Sequence, residues 1–142
     1  MHQRLIAAAA VASAVLAGCG GGSSNKTLSY SDFGTQMGNI CQGLNPQVKA
    51  ETAKLTGKAS ADAAVYDTII PKLEDGVNQV KALKAPSELK PHQDTWVSIS
   101  QQQIALAKKA QAATKAGDQK GYVAVLLEIK KSKLGAKGCI GS

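Results

Sequence analysis

Residues 60–83, SADAAVYDTIIPKLEDGVNQVKAL, decide the fold. Val65, Ile69, Leu73, Val77 and Val80 recur at three- and four-residue spacing, with Leu83 closing the series. That is the period of one helix face and not of a strand. Ser60 stands where a side-chain oxygen can cap the first turn, and Asp62 falls within that turn, where a negative charge suits the helix dipole. Pro71 removes one backbone hydrogen bond from the interior, so a bend is expected over Asp67–Pro71. Ala85-Pro86 ends the helix, because the residue before a proline is disfavoured in the α conformation.

The same period extends to both sides. Upstream, Ser29 or Ser31 caps a helix with Asp32 in its first turn, and Phe33, Met37, Ile40, Cys41 and Leu44 form its apolar stripe. Asn45-Pro46 interrupts this pattern, yet Val48 and Leu55 continue its phase. The reading is one kinked helix, or two nearly collinear ones, reaching about Leu55 and stopped by Gly57. Downstream, Ser87-Glu88-Leu89-Lys90-Pro91 opens a third helix, with Pro91 tolerated in the first turn. Leu89, Trp96, Ile99, Gln103, Leu106 and Ala110 share one of its faces, and it runs to about Ala116. Gly117-Asp118 is a compact turn in which glycine closes the third helix and aspartate caps the fourth. Tyr122, Val125, Leu126, Ile129 and Leu134 give the last stripe, and Gly135 ends it.

Four amphipathic helices with short connections specify an all-α domain, an antiparallel up-and-down four-helix bundle whose first helix is kinked or split. The aromatic residues are Phe33, Trp96, Tyr30, Tyr66 and Tyr122, so the core rests on Ala, Val, Leu and Ile. An Ala-, Lys- and Gln-rich chain favours helix.

The N-terminus carries a different signal. Met1-His2-Gln3-Arg4 is positively charged, Leu5 to Ala17 is an apolar run, and Gly18 to Ser24 stops it. A positive start, a short apolar run and small residues describe an export signal; a spanning helix needs about 20 apolar residues. Leu16-Ala17-Gly18-Cys19 resembles the lipobox of bacterial lipoproteins. The resemblance implies a diacylglyceryl thioether on Cys19, cleavage before it and a lipid-anchored protein on the extracytoplasmic face of a cell membrane. The competing reading is an ordinary signal cut after Ala12–Ala14, with Cys19 unmodified. The lipoprotein reading divides the chain into a signal peptide at 1–18, a lipidated cysteine and flexible Gly/Ser tether at 19–28, and a helical domain at 29–142.

Removing residues 1–18 takes away Arg4, the chain's one arginine, and leaves 16 lysines against 10 acids, a formal charge of +6. The compartment argues against nucleic acid as the partner of this basic surface. An anionic surface or another envelope protein suits it, as does a plain solvated lysine surface. The lack of arginine weighs against forked recognition of phosphate or carboxylate. With Cys19 lipidated, two cysteines remain, Cys41 and Cys139. Outside the cytoplasm two such thiols normally pair. A loop of that size, close to 100 residues, corresponds to about 4.7 kcal/mol in the chain-entropy model. A reactive thiol or a metal pair competes with this reading, but neither cysteine has a CxxC spacing or a nearby histidine.

Three stretches of the mature region carry a wider resemblance. They are Leu28-Ser29 through Phe33 to Ile40-Cys41; Leu83-Lys84-Ala85-Pro86; and Gly117-Asp118 with the ending Leu134-Gly135-Ala136-Lys137-Gly138-Cys139. Together they resemble a family of small, uncharacterised bacterial lipoproteins built as cysteine-paired helical bundles. Gly34 and Gly38 inside the first helix depart from its pattern. The resemblance implies the Cys41–Cys139 disulfide and the helical fold, and it implies no activity.

The chain carries little that points to catalysis. His92 is the one histidine left after processing; Glu88 and Asp94 are near it in sequence, beside Pro91 in a first helical turn. There is no Glu-x-x-His, no CxxCH and no Gly-rich phosphate loop, so no metal and no cofactor is expected. Met37 reads as core and not as a haem ligand. Lys130, Lys131, Lys133 and Lys137 suit the negative end of the fourth helix, or a membrane-facing patch. The expected function is that of a non-enzymatic interaction or structural module of the cell envelope. The alternative is a carrier that holds a small apolar or peptide ligand between helices near Trp96, which would need an apolar pocket.

Overall fold

The computed structural model describes residues 26–132. They form four helices, α1 (Tyr30–Thr52), α2 (Ala59–Ala82), α3 (Lys90–Lys115) and α4 (Gln119–Ser132), and no strand. No helix among the described residues is long and apolar enough to cross a membrane. Residues 1–25 and 133–142 lie outside this description, and with them the export signal, Cys19, Leu134, Gly135 and Cys139.

Helix α1 is one continuous helix, with Pro46 inside it. Pro46 and Gln42 are both exposed, so the carbonyl that loses its N–H partner faces water and is not stranded in the core. The same holds for Pro71 and Asp67 in α2. The Ser29 hydroxyl accepts from the Asp32 backbone N–H at 3.1 Å, which is the expected cap. α1 ends at Thr52, one turn short of Leu55. α2 begins at Ala59, with Lys58 and not Ser60 in the capping position. The physical reason lies in the turn itself: Gly57 adopts φ +80°, the Ala59 N–H finds its partner in the distant Gln119 side chain, and the Ala61 and Asp62 N–H groups bond the Lys58 carbonyl.

Helix α2 is the central element and packs against all three others. Ile69, Leu73, Val77 and Val80 are buried along the expected stripe, joined by Tyr66, Ile70 and Asp62. Gly76 admits α1 closely, since a Cβ there would stand 2.8 Å from Leu44 Cδ2. Partners run in opposite order along neighbouring helices. Val80 pairs with Gln93, Glu74 with Lys108, and Asp67 with Gln111 and Lys115 across α2 and α3. Gln47 pairs with Lys72 across α1 and α2. The Leu28 N–H donates to the Lys84 carbonyl at 2.8 Å, fixing the chain entering α1 beside the end of α2.

Helix α3 corrects the sequence reading in one respect. Its most buried residues are Gln93, Ser100, Ile104, Leu106, Ala107, Ala110 and Thr114, while Trp96 and Ile99 are partly exposed. Polar residues hold these positions because the packing partner supplies their hydrogen bonds. The Gln93 amide donates to the carbonyls of Val80 at 2.6 Å and Leu83 at 3.0 Å; Val80 also accepts the Leu83 N–H at 3.1 Å, so the amide adds to the cap at the end of α2. Pro91 lies in the first turn, as expected. At the other end Gly117 takes φ +67°, and Asp118 Oδ1 accepts from the Gly121 N–H at 2.9 Å.

Candidate functional site

Two features stand out at the α1–α2 turn and around α4: a buried polar latch and an apolar groove beside it.

The latch is centred on Asp62, which is 0% exposed. Oδ1 accepts from the Thr56 N–H and the Thr56 hydroxyl, both at 2.8 Å. Oδ2 accepts from the Gly57 N–H at 2.8 Å and the Tyr122 hydroxyl at 2.7 Å. The Tyr122 and Tyr66 hydroxyls are 3.3 Å apart, and their rings meet edge to face at 6.0 Å. Gln119, at the start of α4, accepts from the Ala59 N–H at 2.8 Å and donates to the Gly57 carbonyl at 2.9 Å. The Ala59 donor is one of the free N–H groups of α2 that Ser60 does not reach.

Burial pushes the Asp62 carboxyl upward, but the hydrogen bonds from Thr56, Tyr122 and Gly57 outweigh it and hold the group below its ordinary value. Burial, together with the Tyr66 hydrogen bond and the nearby carboxylate, drives the Tyr122 phenol far up. Tyr66 rises for the first of these reasons, burial. The outcome is a carboxylate with its four acceptor positions filled and two neutral phenols. A carboxylate so saturated has no lone pair left to take a substrate proton. The cluster is a clamp that ties the α1–α2 turn to α4.

The groove runs between α1 and α4, floored by α2 and α3. Val48, Thr52 and Leu55 line one wall, Leu126, Ile129 and Ser132 the other, and Tyr66, Ile69, Leu73, Gln103, Leu106 and Ala107 complete it. Its volume is about 230 Å³, larger than the ~150 Å³ apolar cavity that admits benzene in an engineered protein core. It exists because the helix pairs α1–α2, α2–α3 and α3–α4 pack extensively while α1 and α4 do not close on each other. Val123, Leu127 and Ile129 remain exposed on α4.

The predicted site residues fall as follows. Cys41 lies partly buried on α1; Cys19 and Cys139 are outside the described residues. Trp96 packs partly buried against the core. It does not line the groove, but stands seven residues from Gln103 in the same stripe, about 10 Å along the helix. His92 is exposed in the first turn of α3. Met37 is partly buried, and Lys130 and Lys131 are exposed in the last turn of α4. Among the described residues no cluster of histidine, cysteine, aspartate and glutamate could hold a metal ion.

The latch was detectable in part. Asp62 stands in phase with Tyr66, Ile69, Leu73 and Val80, so an acid occupies the apolar stripe of α2. Its partners at Thr56, Gly57 and Tyr122 carry no such signal, because only the fold brings Tyr122 to it across 60 residues.

The chain matches no protein-family model, no curated protein and no solved structure.

Proposed function

We propose that this protein is a lipid-anchored, non-enzymatic binding module of the bacterial cell envelope, an antiparallel four-helix bundle that holds an uncharged apolar ligand in the groove between α1 and α4. The observation that carries this reading is the groove's lining, which is almost wholly carbon along its 230 Å³. An apolar ligand gains from leaving water there and meets few polar groups that would need partners. The saturated state of Asp62 and the neutral phenols favour a binding role over a catalytic one. The antiparallel arrangement is supported by the opposite order of partners along α1, α2 and α3.

The anchor and the cross-link belong to the same proposal. Leu16-Ala17-Gly18-Cys19 supports acylation at Cys19 and membership of the small lipoproteins that the mature region resembles. Pairing of Cys41 with Cys139 belongs to the same reading, supported by the two cysteines that remain once Cys19 is acylated and by an oxidising compartment; residue 139 falls outside the described part of the chain.

The test is titration of the exported protein with N-phenyl-1-naphthylamine, a neutral dye that brightens in apolar surroundings. One dye per chain is expected, with binding reduced at least tenfold by Thr52→Trp combined with Ile129→Trp, which fills the mouth. Dye binding that this pair leaves unchanged rules the groove out as the site.

A further inference from the structure

Helix α4 keeps much of its apolar surface in the open. Among the described residues, the exposed large apolar side chains are Tyr30, at the start of α1, and Val123, Leu127 and Ile129, all on α4. Ile129 lines the groove; Val123 and Leu127 have no such role. Tyr122 and Val125 turn the other side of the helix to the core. Lys120, Val123, Ala124, Leu127, Lys130 and Lys131 follow one another at three- and four-residue steps, so they share one face. Every one of them is exposed. This face holds three lysines and no acid. Glu128, the one acid of α4, lies off it and meets Lys109 of α3 at 3.4 Å. Asp118, just ahead of the helix, is turned to the Gly121 N–H. Five lysines elsewhere in the fold, Lys54, Lys90, Lys108, Lys109 and Lys115, stand against carboxylates. Among the described residues, none of the three on this face does.

We propose that this face of α4 rests on an anionic lipid surface. Val123 and Leu127 enter the headgroup layer, and Lys120, Lys130 and Lys131 meet the lipid phosphates. Two observations select this occupant. The first is charge: the face is uniformly positive around its apolar centre, and a bilayer offers negative charge with hydrocarbon just beneath it. Lysine suits that boundary, because its stem lies along apolar surface while its ammonium reaches outward. The second is size. A helix of 14 residues is about 21 Å long and ~10 Å across, so its outer face covers roughly 200 Å². A stable protein interface buries ~800 Å² on each partner. A protein would need far more surface than this helix offers, whereas a bilayer takes up single side chains. The position of α4 permits the contact, since it packs chiefly on α3 and leaves its outer side uncovered. The contact is separate from the acyl group proposed for Cys19 and does not depend on a ligand in the groove.

A local reporter on the full-length protein tests the inference, whether or not Cys19 is acylated. Leu127→Trp combined with Trp96→Phe places the chain's single indole on this face, with helicity checked by circular dichroism. Vesicles of phosphatidylglycerol or of phosphatidylcholine, each with brominated acyl chains, then report its contact with lipid. Quenching is expected to be at least threefold stronger in phosphatidylglycerol and to fall in high salt. Lys120→Gln, Lys130→Gln and Lys131→Gln together should cut it at least threefold, while arginine at the same three positions keeps it. Equal quenching in the two lipids, or quenching that the glutamine variant leaves unchanged, overturns the proposal. Salt-sensitive binding to polyglutamate without any quenching by lipid also overturns it, in favour of an acidic polymer. The unsubstituted chain gives a second reading that needs no reporter. A nitroxide-bearing lipid in phosphatidylglycerol bicelles should broaden the methyl signals of Val123 and Leu127 and spare those of the buried Ile104. Equal broadening of all three, or none, removes this face as the lipid contact.

Discussion

Replacing Asp62 by Asn tests the central claim about the fold, that a saturated carboxylate clamps the α1–α2 turn to α4. The side chain accepts four donors at 2.7–2.8 Å: two backbone N–H groups and two hydroxyls. Asparagine keeps the volume but offers one acceptor oxygen and a donor amide. The Thr56 and Tyr122 hydroxyls can rotate away, whereas the Thr56 and Gly57 N–H groups cannot. Whichever way the amide is set, a backbone N–H is left facing another donor. A buried unsatisfied donor costs ~1–3 kcal/mol, and each lost bond to a charged acceptor ~1.5–3 kcal/mol. Hydroxyl rotation offsets part of this, leaving an expected loss of about 3–4 kcal/mol. For a domain near 100 residues that lowers Tm by roughly 15–25 °C. Urea unfolding followed by circular dichroism at pH 7 gives the value directly. The pH dependence supplies a second check. The folded carboxyl lies below its ordinary value of 3.8, so its contribution is complete above that pH and fades as pH falls below it through the lower folded value. The gap between wild type and Asp62→Asn should stay level from pH 7 to about 5 and narrow below 3.8. A variant within about 1 kcal/mol of wild type at pH 7, or a gap that widens in acid, would refute the clamp.

Other substitutions probe the remaining parts of the argument. Gly57→Ala forces an L side chain into φ +80° at a residue whose own N–H is a donor of the latch, and about 1–2 kcal/mol of lost stability is expected in urea melts. Gln93→Leu removes the amide that reaches the Val80 and Leu83 carbonyls while keeping apolar bulk. A loss of about 1–2 kcal/mol is expected, with faster hydrogen exchange at the C-terminal turn of α2. Lys115→Met breaks the exposed pair with Asp67; solvent screens such a pair, so the midpoint of the urea melt should stay where it is in wild type. The Asp67 carboxyl, held down chiefly by its Lys115 and Gln111 hydrogen bonds, should titrate at higher pH, as followed by carboxyl carbon NMR.

The groove and the latch were unequally legible. Leu106, Val48, Ile69, Leu73 and Leu126 could each be assigned to an apolar stripe from spacing alone. That α1 and α4 would stand apart could not be, because a stripe reports that a face is covered and not by which neighbour or how tightly. Trp96 drew attention as the largest apolar side chain, yet groove position depends on helix separation, and the opening lies two turns further along α3. On α3 the stripe with Trp96 and Ile99 was the more apolar one, while Gln93, Ser100 and Thr114 took the buried positions. Side-chain spacing cannot anticipate this, since a buried glutamine is tolerated only where a facing helix end offers its amide acceptors.

Helix content, the two mid-helix prolines and the glycines at 57 and 117 follow from local rules: period, ring geometry and the freedom of a residue without a Cβ. These act over a handful of neighbouring residues and are written in the order of the chain. The meeting of Asp62 with Tyr122, of Gln119 with Ala59, and the gap left between α1 and α4 were decided only when the helices packed. They depend on side chains some 60 residues or more apart sharing a few ångströms, and hydrogen-bond saturation and carbon-lined volume are properties of that packing, which no single segment carries.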